Sequence, residues 1–130
     1  MVQNLIFITS RLEDAYLHIC RRELSPAFLR WDELTLKHLD SALFRLKLCE
    51  RYAREKDKTI YSEAIRMITQ LQEEIKSMQW ESFFNPEPDF KKIKETLKQA
   101  YRILHELKEE EIANKMRMEM QESQYEEEED

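Results

Sequence analysis

Two apolar stripes joined by one charged turn constrain this chain more than any other feature. The first reads Leu36, Leu39, Leu43, Leu46, and the second Tyr61, Ala64, Ile68, Leu71, Ile75, Met78. Steps of three and four residues place each set on one face of a helix. Between them lies Arg54-Glu55-Lys56-Asp57-Lys58, which has no apolar residue to bury. This is the pattern of an antiparallel helical hairpin.

Two further stripes flank the hairpin. Leu5, Ile8, Leu12, Ala15 and Ile19 define a first helix over about residues 3–23, widened by Phe7, Tyr16 and Cys20. Ser25-Pro26 follows as a break and a restart, because Ser caps helices and Pro is tolerated at the first position. The second helix is therefore expected from about Pro26 to Lys56, with its ordered packing starting near Trp31. It also carries Leu34, Phe44, Leu48 and Tyr52 off its main face, and a helix apolar on more than one side meets more than one neighbour. The third helix is expected from Lys58 to Phe84. Asn85-Pro86-Glu87-Pro88-Asp89 breaks the chain, and Asp89 is placed to cap a fourth helix. Its stripe is Phe90, Ile93, Leu97, Ala100, Leu104, Leu107.

After Leu107 the next stripe positions are Glu111 and Asn114, so the core face ends there. Helical propensity continues through Met120, with Ile112, Met116 and Met120 on a shifted phase. The last five residues, 126–130, are all acidic and are expected to be disordered by self-repulsion. The expected architecture is an all-α, up-down four-helix bundle over residues 1–107 with an acidic extension over 108–130. The rival is a three-helix body whose first helix is exchanged with a partner chain.

Composition excludes several classes. Glycine is absent from all 130 residues, which removes Gly-rich phosphate loops and argues against sandwiches and dinucleotide folds. The net charge of −6 is uneven. Residues 106–130 hold 11 acidic and 3 basic residues, net −8, which leaves 16 acidic and 18 basic in residues 1–105, net +2. A near-neutral body lacks the basic footprint of a nucleic-acid binder. Cys20 and Cys49 fall in helical patterns without disulfide-framework spacing, so free thiols and a reducing, cytoplasmic setting are expected. Neither a secretory leader nor a membrane-spanning stretch is evident.

Candidate chemistry is sparse. His18, His38 and His105 lie on three different helices, and no Glu-x-x-His or His-x-x-x-His occurs. Zinc would need four ligands from separate helices, so neither metal nor cofactor is expected. Arg11 and His18 form an Arg-x6-His spacing that resembles the motif of the HEPN ribonuclease family, which is also all-helical. The resemblance implies that Arg11 stabilises a phosphate and His18 acts in acid–base chemistry. In that family the motif sits late in the bundle, whereas here it sits in the first helix. Leu34-Thr35-Leu36 through Ile75 is also similar to the central two helices of flagellin-type export chaperones, over about a third of the chain.

The aromatics Trp31, Trp80, Phe83 and Phe84 stand near helix ends. They read as a plug closing the bundle or, for Trp80, Phe83 and Phe84, as partner anchors. The methionines suit contacts with an adaptable groove. The function expected from these residues is non-catalytic: a helical adaptor, chaperone or complex subunit, with Trp80, Phe83, Phe84, Ile112, Met116 and Met120 at the interface. The expected partner is another protein with a basic or apolar groove, a second copy of the chain included. The alternatives are a HEPN-like RNA-cleaving protein using Arg11 and His18, or its inactive relative, and an acidic phage-type inhibitor that mimics nucleic acid.

Overall fold

The computed structural model describes the backbone of residues 2–81 and 89–128 and the side chains of 2–78 and 89–122. The described residues form four helices: α1 Val2–Leu24, α2 Trp31–Tyr52, α3 Glu55–Glu81 and α4 Phe90–Glu128. α1 packs on α2 and α4, and α3 packs on α2 and α4. Among the described residues the backbones of the diagonal pairs α1–α3 and α2–α4 do not come close, and α2 and α4 meet through the Trp31 and Phe90 rings at one end. The helices therefore make a square, up-down ring around one core, as the four stripes predict. α1 packs within its own chain, so the exchanged arrangement is not the one seen.

The predicted stripes are the core, except that Leu36 and Met78 are only partly buried at its margin. Leu5, Ile8, Leu12, Ala15 and Ile19 of α1 meet Leu39, Leu43 and Leu46 of α2. Tyr61, Ala64, Ile68, Leu71 and Ile75 of α3 and Ile93, Leu97, Ala100, Leu104 and Leu107 of α4 close the other side. Trp31 and Phe90 stack edge to face, with ring centroids 5.6 Å apart, and seal the end where α2 and α4 begin. The two threonines buried among these residues have local partners. Thr9 Oγ1 donates to the Leu5 carbonyl at 2.9 Å, and Thr35 Oγ1 to the Trp31 carbonyl at 2.6 Å. These back-bonds satisfy hydroxyls that have no water to bond.

Helix boundaries differ from the expected ones in three places: the start of α2, the α2–α3 turn, where α2 stops at Tyr52 rather than Lys56 and α3 begins at Glu55 rather than Lys58, and the end of α4. α2 starts at Trp31 rather than Pro26. The Phe28 amide donates to the Ser25 carbonyl at 3.0 Å, which closes a turn around Pro26. That turn delivers the Phe28 ring beneath the Arg21 guanidinium, 4.6 Å away. Pro26 thus opens a turn and not a helix. At the far end α4 runs on through Glu128, so residues 126–128 of the acidic run are helical here. Glutamate is a good helix former, and extending an existing helix avoids a new nucleation step. Asp89 caps α4 as expected: its Oδ1 accepts from the Lys92 amide at 3.1 Å. The α2–α3 connection is made with Ala53 in extended geometry. No described residue has a positive φ, which is how this chain turns without glycine.

Candidate functional site

Two places bring functional side chains together. The first lies along the seam between α1 and α2. Residues four or three apart on α1, namely Asn4, Phe7, Arg11, Asp14, His18 and Arg21, share its α2-facing flank. His38 and Arg45 share the facing flank of α2. Arg11 Nη1 lies 3.3 Å from His38 Nδ1, and His38 Nε2 lies 3.2 Å from His18 Nε2. The two imidazoles are near-parallel, 12° apart, with centroids at 5.1 Å. Arg11 and Arg45 both stand over the Phe7 ring, at 5.0 and 4.5 Å, and Arg45 also donates to Asn4 Oδ1 at 2.9 Å.

Hydrogen-bond chemistry orders this chain of contacts. A guanidinium only donates, so His38 Nδ1 must accept from Arg11. The proton of a neutral His38 then sits on Nε2 and is donated to His18 Nε2. Burial holds the His38 pKa below the usual histidine value. The neighbouring His18, Arg11 and Lys37 add to that depression, and Asp14 opposes it. The seam is thus a directed relay, Arg11 to His38 to His18, with His38 neutral near pH 7. Sequence spacing finds the Arg11–His18 pair but not His38, because the third member comes from another helix. The signal that could have found it is position: His38 falls one step to the side of the α2 core stripe, on the α1 side.

On the opposite flank of α1 lies an open groove of about 430 Å³, lined by Leu12, Tyr16, Leu17, Leu97 and Tyr101 among others. Its rim is tied by Tyr101 Oη donating to Glu13 at 2.7 Å. The relay and the groove therefore face different ways, and Arg11, His18 and His38 do not line this cavity.

The second place is the arm, the part of α4 beyond Leu107. α4 has 39 residues against 22–27 in the other helices. Its first turn beyond the core is tied down by Lys56 to Glu110 at 3.7 Å. A concavity there is lined by Val2, Arg54, Glu111, Asn114, Lys115 and Met118, which marks the end of the body. Ile112 is half-buried, while Met116, Met118 and Met120 are 60–67 % exposed. Met118 returns to the phase of the core stripe and finds little to cover it; Ile112, Met116 and Met120 form a separate outward row.

The arm thus unites Ile112, Met116 and Met120, as the sequence predicts. Phe83 and Phe84 lie outside the described residues, and so does the Trp80 side chain. The cysteines are free thiols, and burial raises the pKa of Cys49, whose thiol shares a hydrogen bond with Tyr61. Among the described residues, no three or more His, Cys, Asp or Glu side chains are arranged to hold a metal ion, and no helix is long and apolar enough to cross a membrane. Comparison with known proteins returned no matching family model, no matching curated protein and no matching solved structure.

Proposed function

We propose that this protein is a non-catalytic interaction module: a helical body that presents a charged, methionine-bearing arm to a protein partner. The observation that carries this reading is the continuation of α4 past Leu107. A helix in water holds poorly without an apolar face packed on something, yet this one keeps three large methionines exposed. Flexible thioether side chains between carboxylates fit a groove that is apolar at its floor and basic at its rim. The test is truncation after Leu107. The truncated body is expected to melt like the full chain and to lose the proteins that the full chain captures. Retention of every captured protein by the truncated body overturns the reading.

A second reading has one observation in its favour. Arg11 and His18, spaced as in HEPN ribonucleases, both contact His38. Arg11 is held by His38 and by Asp14 at 3.9 Å, so an incoming phosphate has to displace existing partners. The interaction-module reading expects no RNA cleavage by the wild type. Cleavage that disappears in His18→Ala decides for the ribonuclease.

A further inference from the structure

The back of α2 is an uncovered apolar row. Phe44, Leu48 and Tyr52 are spaced by four residues, point away from the core, and are 67, 38 and 74 % exposed. Around them stand Lys37, Lys47, Arg51 and Arg54, while Arg45 is turned to α1, where it donates to Asn4 at 2.9 Å. The two acids in the same stretch are occupied on the α3 side: Asp40 accepts from Gln72, and Glu50 accepts from Ser62 at 3.1 Å. An apolar row in a basic setting complements the arm, where Ile112, Met116 and Met120 repeat the same four-residue step in a stretch, 108–122, that holds the acids Glu109, Glu110, Glu111, Glu119 and Glu122 against the bases Lys108, Lys115 and Arg117, with Glu110 paired to Lys56.

We propose that the chain forms a two-fold dimer in which each arm lies antiparallel on the back of the partner's α2. The proposal rests on the interaction-module reading and names its partner: a second copy of the chain. Three geometrical facts support it. Both rows span nine residues, eight steps of 1.5 Å or about 12 Å of helix. Both are rows of the i, i+4 kind, and two such ridges interlock at about −50°. The rows also belong to the same end of the body: α2 finishes at Tyr52, and the arm leaves beside Arg54 and Lys56.

An arm cannot reach the row of its own chain, because α2 and α4 occupy opposite corners of the ring. A copy turned end over end meets it instead. α2 and α4 run in the same direction within one body, so the two-fold makes arm and α2 antiparallel. Ile112 then meets Tyr52, Met116 meets Leu48, and Met120 meets Phe44. Glu119 and Glu122 approach Lys47, and Glu109 approaches Arg51. The symmetry makes this contact twice, which gives a self-complementary interface. Arm against arm is disfavoured by like charge, since residues 108–130 carry 10 acidic and 3 basic residues.

The test uses the full chain in sedimentation and light-scattering measurements at about 50 mM salt, where exposed charges act over roughly 14 Å or less. The expected species is a dimer whose Kd rises at least tenfold by 0.5 M salt. Lys47→Glu/Arg51→Glu and Glu119→Lys/Glu122→Lys are each expected to give folded monomers with unchanged helical circular dichroism, because these side chains stand on the surface. Mixing the two variants restores the dimer, since one contact is native and the other has its charges exchanged. In a Cys20→Ser background, Leu48→Cys and Met116→Cys proteins cross-link with each other on mild oxidation. A full chain that stays monomeric at 100 µM and low salt overturns the dimer. So does a dimer that survives both charge reversals and fails to cross-link. A monomer whose truncation after Leu107 still loses captured proteins overturns the dimer alone and leaves the interaction-module reading standing.

Discussion

Replacing Ile68 by Ala tests whether the stripe that organises α3 is the core. Ile68 is completely buried in the middle of α3, between Ala64 and Leu71 of the same stripe. The substitution removes three carbons, worth about 2.4 kcal/mol at ~0.8 kcal/mol per buried group. The space left behind adds to this, because a ring of four packed helices collapses only partly around it. The total is about 3–4 kcal/mol, inside the 2–5 kcal/mol range for such changes. For a domain of this size that is a fall in Tm of about 10–15 °C. Urea unfolding followed by circular dichroism reads the loss as a lower midpoint at unchanged slope. A loss below about 0.5 kcal/mol is the size of a surface change. It would mean that Ile68 does not face the core and that the α3 stripe is misread.

Four further outcomes follow from the same geometry. Leu43→Ala is expected to cost less than Ile68→Ala, about 2–3 kcal/mol, because Leu43 sits at the edge of the core and is 7 % exposed; equal or larger loss in the same urea experiment refutes the ordering. His38 titrates below its unfolded value, so the folded state is penalised as pH falls through about 6.5. His38→Gln is expected to flatten the decline in stability between pH 7 and 5, and an unchanged slope in melts across that range removes the cause assigned to it. In an RNA-cleavage assay, wild type and His18→Ala are expected to behave alike because neither cleaves. Truncation after Leu107 is expected to move Tm by no more than about 2 °C, within the range of surface changes, and a collapsed melt shows that the arm packs on the body.

Most of the fold was legible because apolar periodicity and burial report the same thing. Each of the four stripes reads out as one helix face on the core, down to Leu107, with Leu36 and Met78 only partly buried. The boundaries were less legible because they depend on competition. Pro26 suits both a first helical position and a turn, and the choice was made by Phe28, which packs on α1 through Arg21 and His18. Likewise the acidic run at 126–128 weighs glutamate's helix propensity against like-charge repulsion, and helix wins there. No count of charges along the chain contains the helix that is already there to be extended.

The site was legible only where its members share one helix. Ile112, Met116 and Met120 stand four apart and can be read from spacing alone, as can Arg11 and His18. His38 could not be joined to Arg11 and His18 without knowing that α1 and α2 are antiparallel neighbours, which fixes which residues of α2 stand level with them. The same limit applied to Phe44, Leu48 and Tyr52. Their apolar character predicts a second neighbour for α2, and α2 does have two, α1 and α3. Yet both contacts are made by other residues, and Phe44, Leu48 and Tyr52 remain turned to solvent. An apolar side chain in a helix is read as wanting cover; only the three-dimensional ring reveals that all the cover within the chain is already spent elsewhere. What remains uncovered is an apolar row in a basic setting, while the acidic arm projects past the end of the body where that row finishes. Those two features do not touch each other within one chain, and that separation is the strongest reason to look for their contact between two.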